Sequence, residues 1–131
     1  IAHYPEISSI LDDSKIHISI DDARHWLNKH PDKFDLILSN TTFYWRNFSG
    51  NLMSQEYLTL IKTHLEPRGL YAYNSTSSLV SAYTTAKQFP YVFLYRNLVV
   101  GTDFYQSSSQ NTKINTLRAF HPNGKAMIAL D

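Results

Sequence analysis

Apolar residues along this chain follow two alternating rhythms. Short runs rich in β-branched and aromatic residues, at positions 16–20 (IHISI), 34–39 (FDLILS), 70–74 (LYAYN), 91–95 (YVFLY) and 98–100 (LVV), have the character of strands. The first two are almost continuously apolar, as in strands covered on both faces of a parallel sheet. Between the runs the spacing changes to that of a helix face. Ala23, Trp26, Leu27 and His30 share one such face, Tyr57, Leu58, Ile61 and Leu65 a second, and Leu79, Val80, Tyr83 and Ala86 a third. Each predicted helix has an N-cap at hand, in Asp21 or Asp22, Ser54, and Ser77 or Ser78. Each also has a stop: Pro31, Pro67 with Gly69, and Pro90 follow the last turns, where a missing N–H or a positive φ ends a helix.

Strand and helix therefore alternate from position 16 to position 100, the order of βαβ units with right-handed crossovers. The predicted fold class is α/β, a Rossmann-like doubly wound and mostly parallel sheet. The tail breaks the pattern. Positions 107–112 (SSSQNT) read as a polar loop, and positions 116–130 as two short strands joined at Asn123-Gly124, an antiparallel C-terminal hairpin. Pro122 beside that turn favours an edge position or a longer loop.

Length and composition narrow the class. With 131 residues the chain suits one domain, residues 1–131, large enough for a continuous core and too short for two. Twelve Lys and Arg against eleven Asp and Glu leave a net charge of +1 with no basic stripe, so nucleic acid is not expected as a partner. There is no cysteine, which excludes disulfides, thiolate metal sites and a cysteine nucleophile, and suits a reducing compartment. A cytoplasmic location is the expectation. The longest apolar runs are about five residues against the roughly twenty that span a bilayer, so no membrane segment is expected here.

In a parallel sheet, ligands bind beyond the carboxyl ends of the strands. The residues to inspect are thus Asp21 and Asp22 after the first run, and Asn40 and Thr41 after the second. An Asp there can accept a hydrogen bond from an exocyclic amine while the next backbone N–H donates to a ring nitrogen, which would recognise adenine; it can equally cap the helix at Ala23. Phe43, Tyr44, Trp45 and Phe48 form an aromatic loop where a substrate would approach, able to stack on a base or to pack back on the core. Arg46 could pair with a ligand carboxylate or stay solvated. The six histidines show no helical i, i+4 pair and no facial triad, so no metal is expected. No serine lies in a G-x-S-x-G elbow. Asn-x-Ser/Thr matches at Asn40, Asn47 and Asn74 read as chance, two of them falling at strand ends that face the crevice. The four glycines form no G-x-G, so a phosphate-cradling loop of the kind expected on the first βα turn of a nucleoside-binding domain is missing from this stretch.

Taken in order, IHISIDDARHWL, FDLILSN and GNLMSQEYLTLIKTHLEPRGLYAYN resemble the spermidine synthase family and the broader spermidine-synthase-like proteins, built on the class I S-adenosylmethionine-dependent methyltransferase fold. The resemblance spans roughly positions 13–103 and is carried by the Asp-Ala turn, the Phe-Asp-aliphatic strand, the Ser-x-Glu-Tyr helix start and the Leu-x-Pro-x-Gly turn. It implies that Asp22 with Ala23 holds adenine, that Asn40 and Thr41 border the S-adenosylmethionine or decarboxylated S-adenosylmethionine, and that Tyr44, Trp45 and Asn74 face a polyamine or other amine acceptor. It also implies aminopropyl transfer as the family activity and a homodimer as a common assembly.

Two positions depart from the family pattern. The strand corresponding to FDLIL ends, in active aminopropyltransferases, in a motif whose first Asp takes the proton from the attacking amine and whose second helps hold the polyamine. Asn40 and Phe43 stand there. An amide cannot take that proton, and a phenyl ring cannot pair with an ammonium ion. Asp103, after Gly101 and Thr102, is the nearby acid that could substitute. The family's glycine-rich loop and first two strands precede the matched region, so the resemblance implies a C-terminal segment, with a gap between the strand at 16–20 and the strand at 34–39. Three readings follow: an aminopropyl- or methyltransferase, a non-catalytic nucleoside-binding or assembly module, or an unrelated α/β interaction domain.

Overall fold

The computed structural model describes residues 13–40, 49–105, 107 and 109–119. Four strands form one sheet in the order β1-β2-β4-β3, where β1 is Phe34–Ser39, β2 Leu65–Asn74, β3 Tyr91–Tyr95 and β4 Leu98–Thr102. β1 and β2 are parallel, while β4 is antiparallel to both β2 and β3. Three of the four strands thus share one direction. Helix α1 (Ala23–Lys29) precedes β1, α2 (Gln55–Thr63) connects β1 to β2 and α3 (Leu79–Gln88) connects β2 to β3, with a 3₁₀ turn at Ser49–Met53 and a last helix, α4, at Gln110–Ala119.

Of the paired cap candidates, the structure selects Asp22, whose side chain accepts from the N–H groups of Arg24 and His25, and Ser78, which accepts from Ser81 N–H; Ser54 accepts from Tyr57 N–H. Leu58 and Ile61 of α2, Leu27 of α1 and Phe89 after α3 pack with Tyr71, Tyr73 and Val99 of the sheet to make the core. β2 starts earlier than its apolar run: Leu65 pairs with Phe34, the register slips, and Leu70 pairs with Leu36. The intervening Glu66-Pro67-Arg68-Gly69 is a bulge, in which Arg68 takes a φ of 69° and Pro67 needs no ladder hydrogen bond. At Gly101 a Cβ would lie 2.8 Å from Cδ2 of Phe89, so only glycine lets that ring lie against β4.

Several expectations are corrected. Residues 16–20 form no strand: they pair with no strand among the described residues, and Ile18 and Ile20 are 60% and 100% exposed. An apolar run becomes a strand only when a neighbour takes its backbone groups. β1 is not covered on both faces either, since Leu36 and Leu38 are 55% and 64% exposed. The predicted apolar face of α3 points outward, with Leu79, Val80 and Tyr83 exposed. Ser81 and Thr85 turn inward because their polar groups find partners there: Thr85 Oγ1 donates to the Ser81 carbonyl at 3.0 Å and meets the Tyr73 hydroxyl at 2.8 Å. Residues 116–119, read as the start of a strand, belong to α4, and so do 110–112 of the expected polar loop. Ser109 starts that helix by accepting from Thr112 N–H at 3.1 Å, and the stretch has no β-like alternation to oppose it. The turn at Asn123-Gly124 lies outside the described residues; the hairpin within them is β3–β4, turning at Arg96 with a φ of 55°.

Candidate functional site

A groove of about 860 Å³ runs along the open edge of β1. One wall is the segment before α1, which turns alternate residues His17, Ser19 and Asp21 inward, followed by Ala23. The other wall is β1 itself, with Leu36, Leu38 and Ser39, and Trp26 and Tyr57 lie between. The groove occupies the position between residues 16–20 and β1, and at its inner end it reaches the carboxyl end of β1, where α/β sheets bind ligands. A smaller hollow of about 470 Å³ beside His30, Thr63 and His64 lies at the opposite end of β1.

Asp21 and Asp22 have divided roles. Asp22 spends Oδ1 on the first turn of α1, at 3.0 Å from Arg24 N and 3.2 Å from His25 N, with Arg24 Nε at 3.6 Å. Asp21, not Asp22, lines the groove. Its Oδ1 accepts from Asp22 N–H at 2.8 Å and its Oδ2 meets His25 Nδ1 at 2.7 Å. The hydrogen bond from His25 holds the Asp21 carboxyl below its usual range.

The other sequence-predicted residues scatter. Asn40 is exposed and follows the last residue of β1. Asn74 ends β2, where its Oδ1 accepts from Thr76 N–H at 2.9 Å and shapes the turn into α3. Thr41, Phe43, Tyr44 and Trp45 lie outside the described residues. Asp103 is at the wrong end: β4 is antiparallel and pairs Thr102 with Leu70, so Asp103 sits by the amino-terminal ends of β1 and β2. At about 3.3 Å per residue it is on the order of 17 Å along the sheet from Asn40, too far to take a proton there.

Three hydroxyls near the inner end of the groove were not legible as a site. Ser39 is half-buried, while Tyr57 and Tyr71 are 3% and 0% exposed. Burial pushes both phenols up, and the Ser39 side chain moderates each shift. Tyr73, next on the same face of β2, is also pushed up by burial, but its hydroxyl is satisfied by Thr85. The Tyr71 hydroxyl is not: Ser39 influences it without reaching hydrogen-bond geometry, and it has no hydrogen-bond partner among the described residues. An unsatisfied buried hydroxyl costs about 1–3 kcal/mol. In the sequence these tyrosines read only as core positions, because nothing in a periodic pattern distinguishes a satisfied phenol from an orphaned one.

No family model matches the chain, and no curated protein sequence does. Solved structures do. Human methyltransferase-like protein 13 in complex with SAH is similar over 88% of this chain and 64% of its own, with a TM-score of 0.64 and 14% identity. A probable spermidine synthase from Corynebacterium glutamicum is similar over 90% of this chain and 52% of its own, with a TM-score of 0.58 and 21% identity. The fold is therefore that of the methyltransferase-like α/β proteins, and the chain spans about half to two thirds of the length of these neighbours.

Proposed function

We propose that the chain is the C-terminal part of a spermidine-synthase-like unit that binds S-adenosylmethionine or its decarboxylated form, and that it lacks efficient aminopropyl transfer. The observation that carries this reading is the groove, with the Asp21–Ala23 turn facing β1 across it, in a fold shared with a protein crystallised with SAH. In this reading two further strands, outside residues 13–119, pair along the open edge of β1, bring a glycine-rich turn, and leave for the nucleoside only the end of the groove beyond the carboxyl end of β1.

The residues present fit a nucleoside. Asp22 is itself outside the groove lining but is flanked by Asp21 and Ala23, which are on its wall; both its capping bonds run through Oδ1, and in this reading Oδ2 accepts from the exocyclic amine of adenine. Among the described residues, Asn74 belongs to the acceptor side in this reading. The bound cofactor supplies an activated aminopropyl or methyl group. Asn40 stands where the attacking amine would lose its proton, and its amide has no basic lone pair to receive it. Phe43 offers no charge to a second ammonium. General-base help contributes about 10²–10⁴ in rate, so the unassisted transfer to putrescine is slow. That same deficit favours methyl transfer or simple nucleoside binding as the second reading.

Calorimetric titration with S-adenosylhomocysteine tests the binding. Saturable binding is expected, weakened roughly tenfold or more by Asp22→Ala, since a hydrogen bond to a charged acceptor is worth about 1.5–3 kcal/mol. Mass spectrometry after incubation with decarboxylated S-adenosylmethionine and putrescine should show little spermidine, increased by Asn40→Asp. Abundant spermidine that is indifferent to Asn40 overturns the catalytic part, and no binding overturns the whole.

A further inference from the structure

The orphaned Tyr71 hydroxyl has a physical consequence. Buried polar groups in folded proteins are almost always paired, and an exception retained in a core calls for a reason. Phenylalanine would fill the same space without an unmet hydroxyl, and Tyr71 stacks on Tyr73 and Phe89 through its ring alone, with centroids 5.3 and 6.4 Å apart. Packing therefore accounts for the ring and not for the oxygen. Tyr73 makes the contrast on the same strand and face, because its oxygen has Thr85.

The oxygen of Tyr71 is next to Ser39, and Ser39 with Tyr57 is on the groove wall at the carboxyl end of β1. We infer that Ser39, Tyr57 and Tyr71 form a hydroxyl floor at the inner end of the groove that hydrogen-bonds a neutral polar group of the bound nucleoside. This rests on the nucleoside reading above. Ser39 and Tyr57 touch the ligand, and Tyr71 is a positioning residue that completes its hydrogen bonding when Ser39 turns to meet the ligand. The floor holds no carboxylate or ammonium, and burial keeps both phenols un-ionised, so it matches a ring nitrogen, an exocyclic amine or a ribose hydroxyl better than an ion.

Titration calorimetry with S-adenosylhomocysteine, paired with thermal melting, tests the floor. Ser39→Ala and Tyr71→Phe should each weaken binding about threefold to tenfold, the effect of one net hydrogen bond, and Tyr71→Phe should melt no lower than the unaltered protein. Ser39→Thr keeps the hydroxyl and should keep the affinity. Tyr73→Phe, which breaks a satisfied pair, should melt lower and bind normally. If the unaltered protein binds while Ser39→Ala and Tyr71→Phe bind equally well, the floor is overturned and the nucleoside reading stands. If the unaltered protein does not bind, both fall.

Discussion

Asp21 and Asp22 are adjacent and chemically identical, yet their surroundings give them different work. Asp22 anchors the first turn of α1, and Asp21 faces the groove with His25 against it. A carboxyl held low by a hydrogen bond stabilises the fold at pH values above its ordinary 3.8, and that contribution disappears as pH falls through the lowered value. Asp21 is exposed in this pair, so the sign of the effect is the useful quantity and its size is small. Following the Asp21 carboxyl by NMR, its titration should move upward toward the ordinary value in His25→Ala. An unchanged titration would mean that His25 does not hold it.

Helices here are joined more by single polar contacts than by propensity. His64, buried at the end of α2, brings Nε2 to 3.0 Å from the carbonyls of Leu27 and His30 at the end of α1, while its Nδ1 faces the Thr63 hydroxyl at 3.1 Å and its own carbonyl accepts from Phe34 N–H at the start of β1. One residue, through its ring and its backbone carbonyl, thus ties three elements at the foot of the groove. His64→Ala would remove the donor that the two carbonyls share, leaving Leu27 with only the longer bond from His30 N–H, and roughly 1 kcal/mol of stability should be lost. Denaturant unfolding measures this, and an unshifted midpoint would show that water replaces the ring freely. On α3 the same principle decides orientation. Thr85 and Ser81 turn toward Tyr73, so Leu79, Val80 and Tyr83 are left facing out, with Lys87 Nζ 4.8 Å from the centre of the Tyr83 ring.

At the scale of the molecule the main feature is an end to the sheet where an interior would be expected. β1 has a single strand partner among the described residues and exposes Leu36 and Leu38, and the apolar segment 16–20 stands unpaired across the groove. Open strand edges of this kind are templates for another strand. Deuterium exchange should therefore be fast at alternate amides of β1 in this chain, slower at β2, and slowed at β1 in a longer protein that carries the two proposed strands. Equal protection of β1 and β2 in this chain would remove the case for a gap.

Much was legible from local chemistry. The α/β class, β1, β3 and β4, the three helices before residue 90 and their caps follow from spacing and from side chains that bond their own neighbours, and the likeness to solved methyltransferase-like structures agrees with that class. What depends on distant partners was not. Residues 16–20 have strand composition but no strand to pair with among the described residues, and α3 has an apolar stripe that polar pairing with Tyr73 overrides. Strand direction alone disqualified Asp103, and only the packing of β1, β2 and α2 brought Ser39, Tyr57 and Tyr71 together. A sequence records each residue's own preferences; hydrogen-bond partners, strand direction and exposure are properties of pairs far apart in the chain, and the tertiary structure alone decides them.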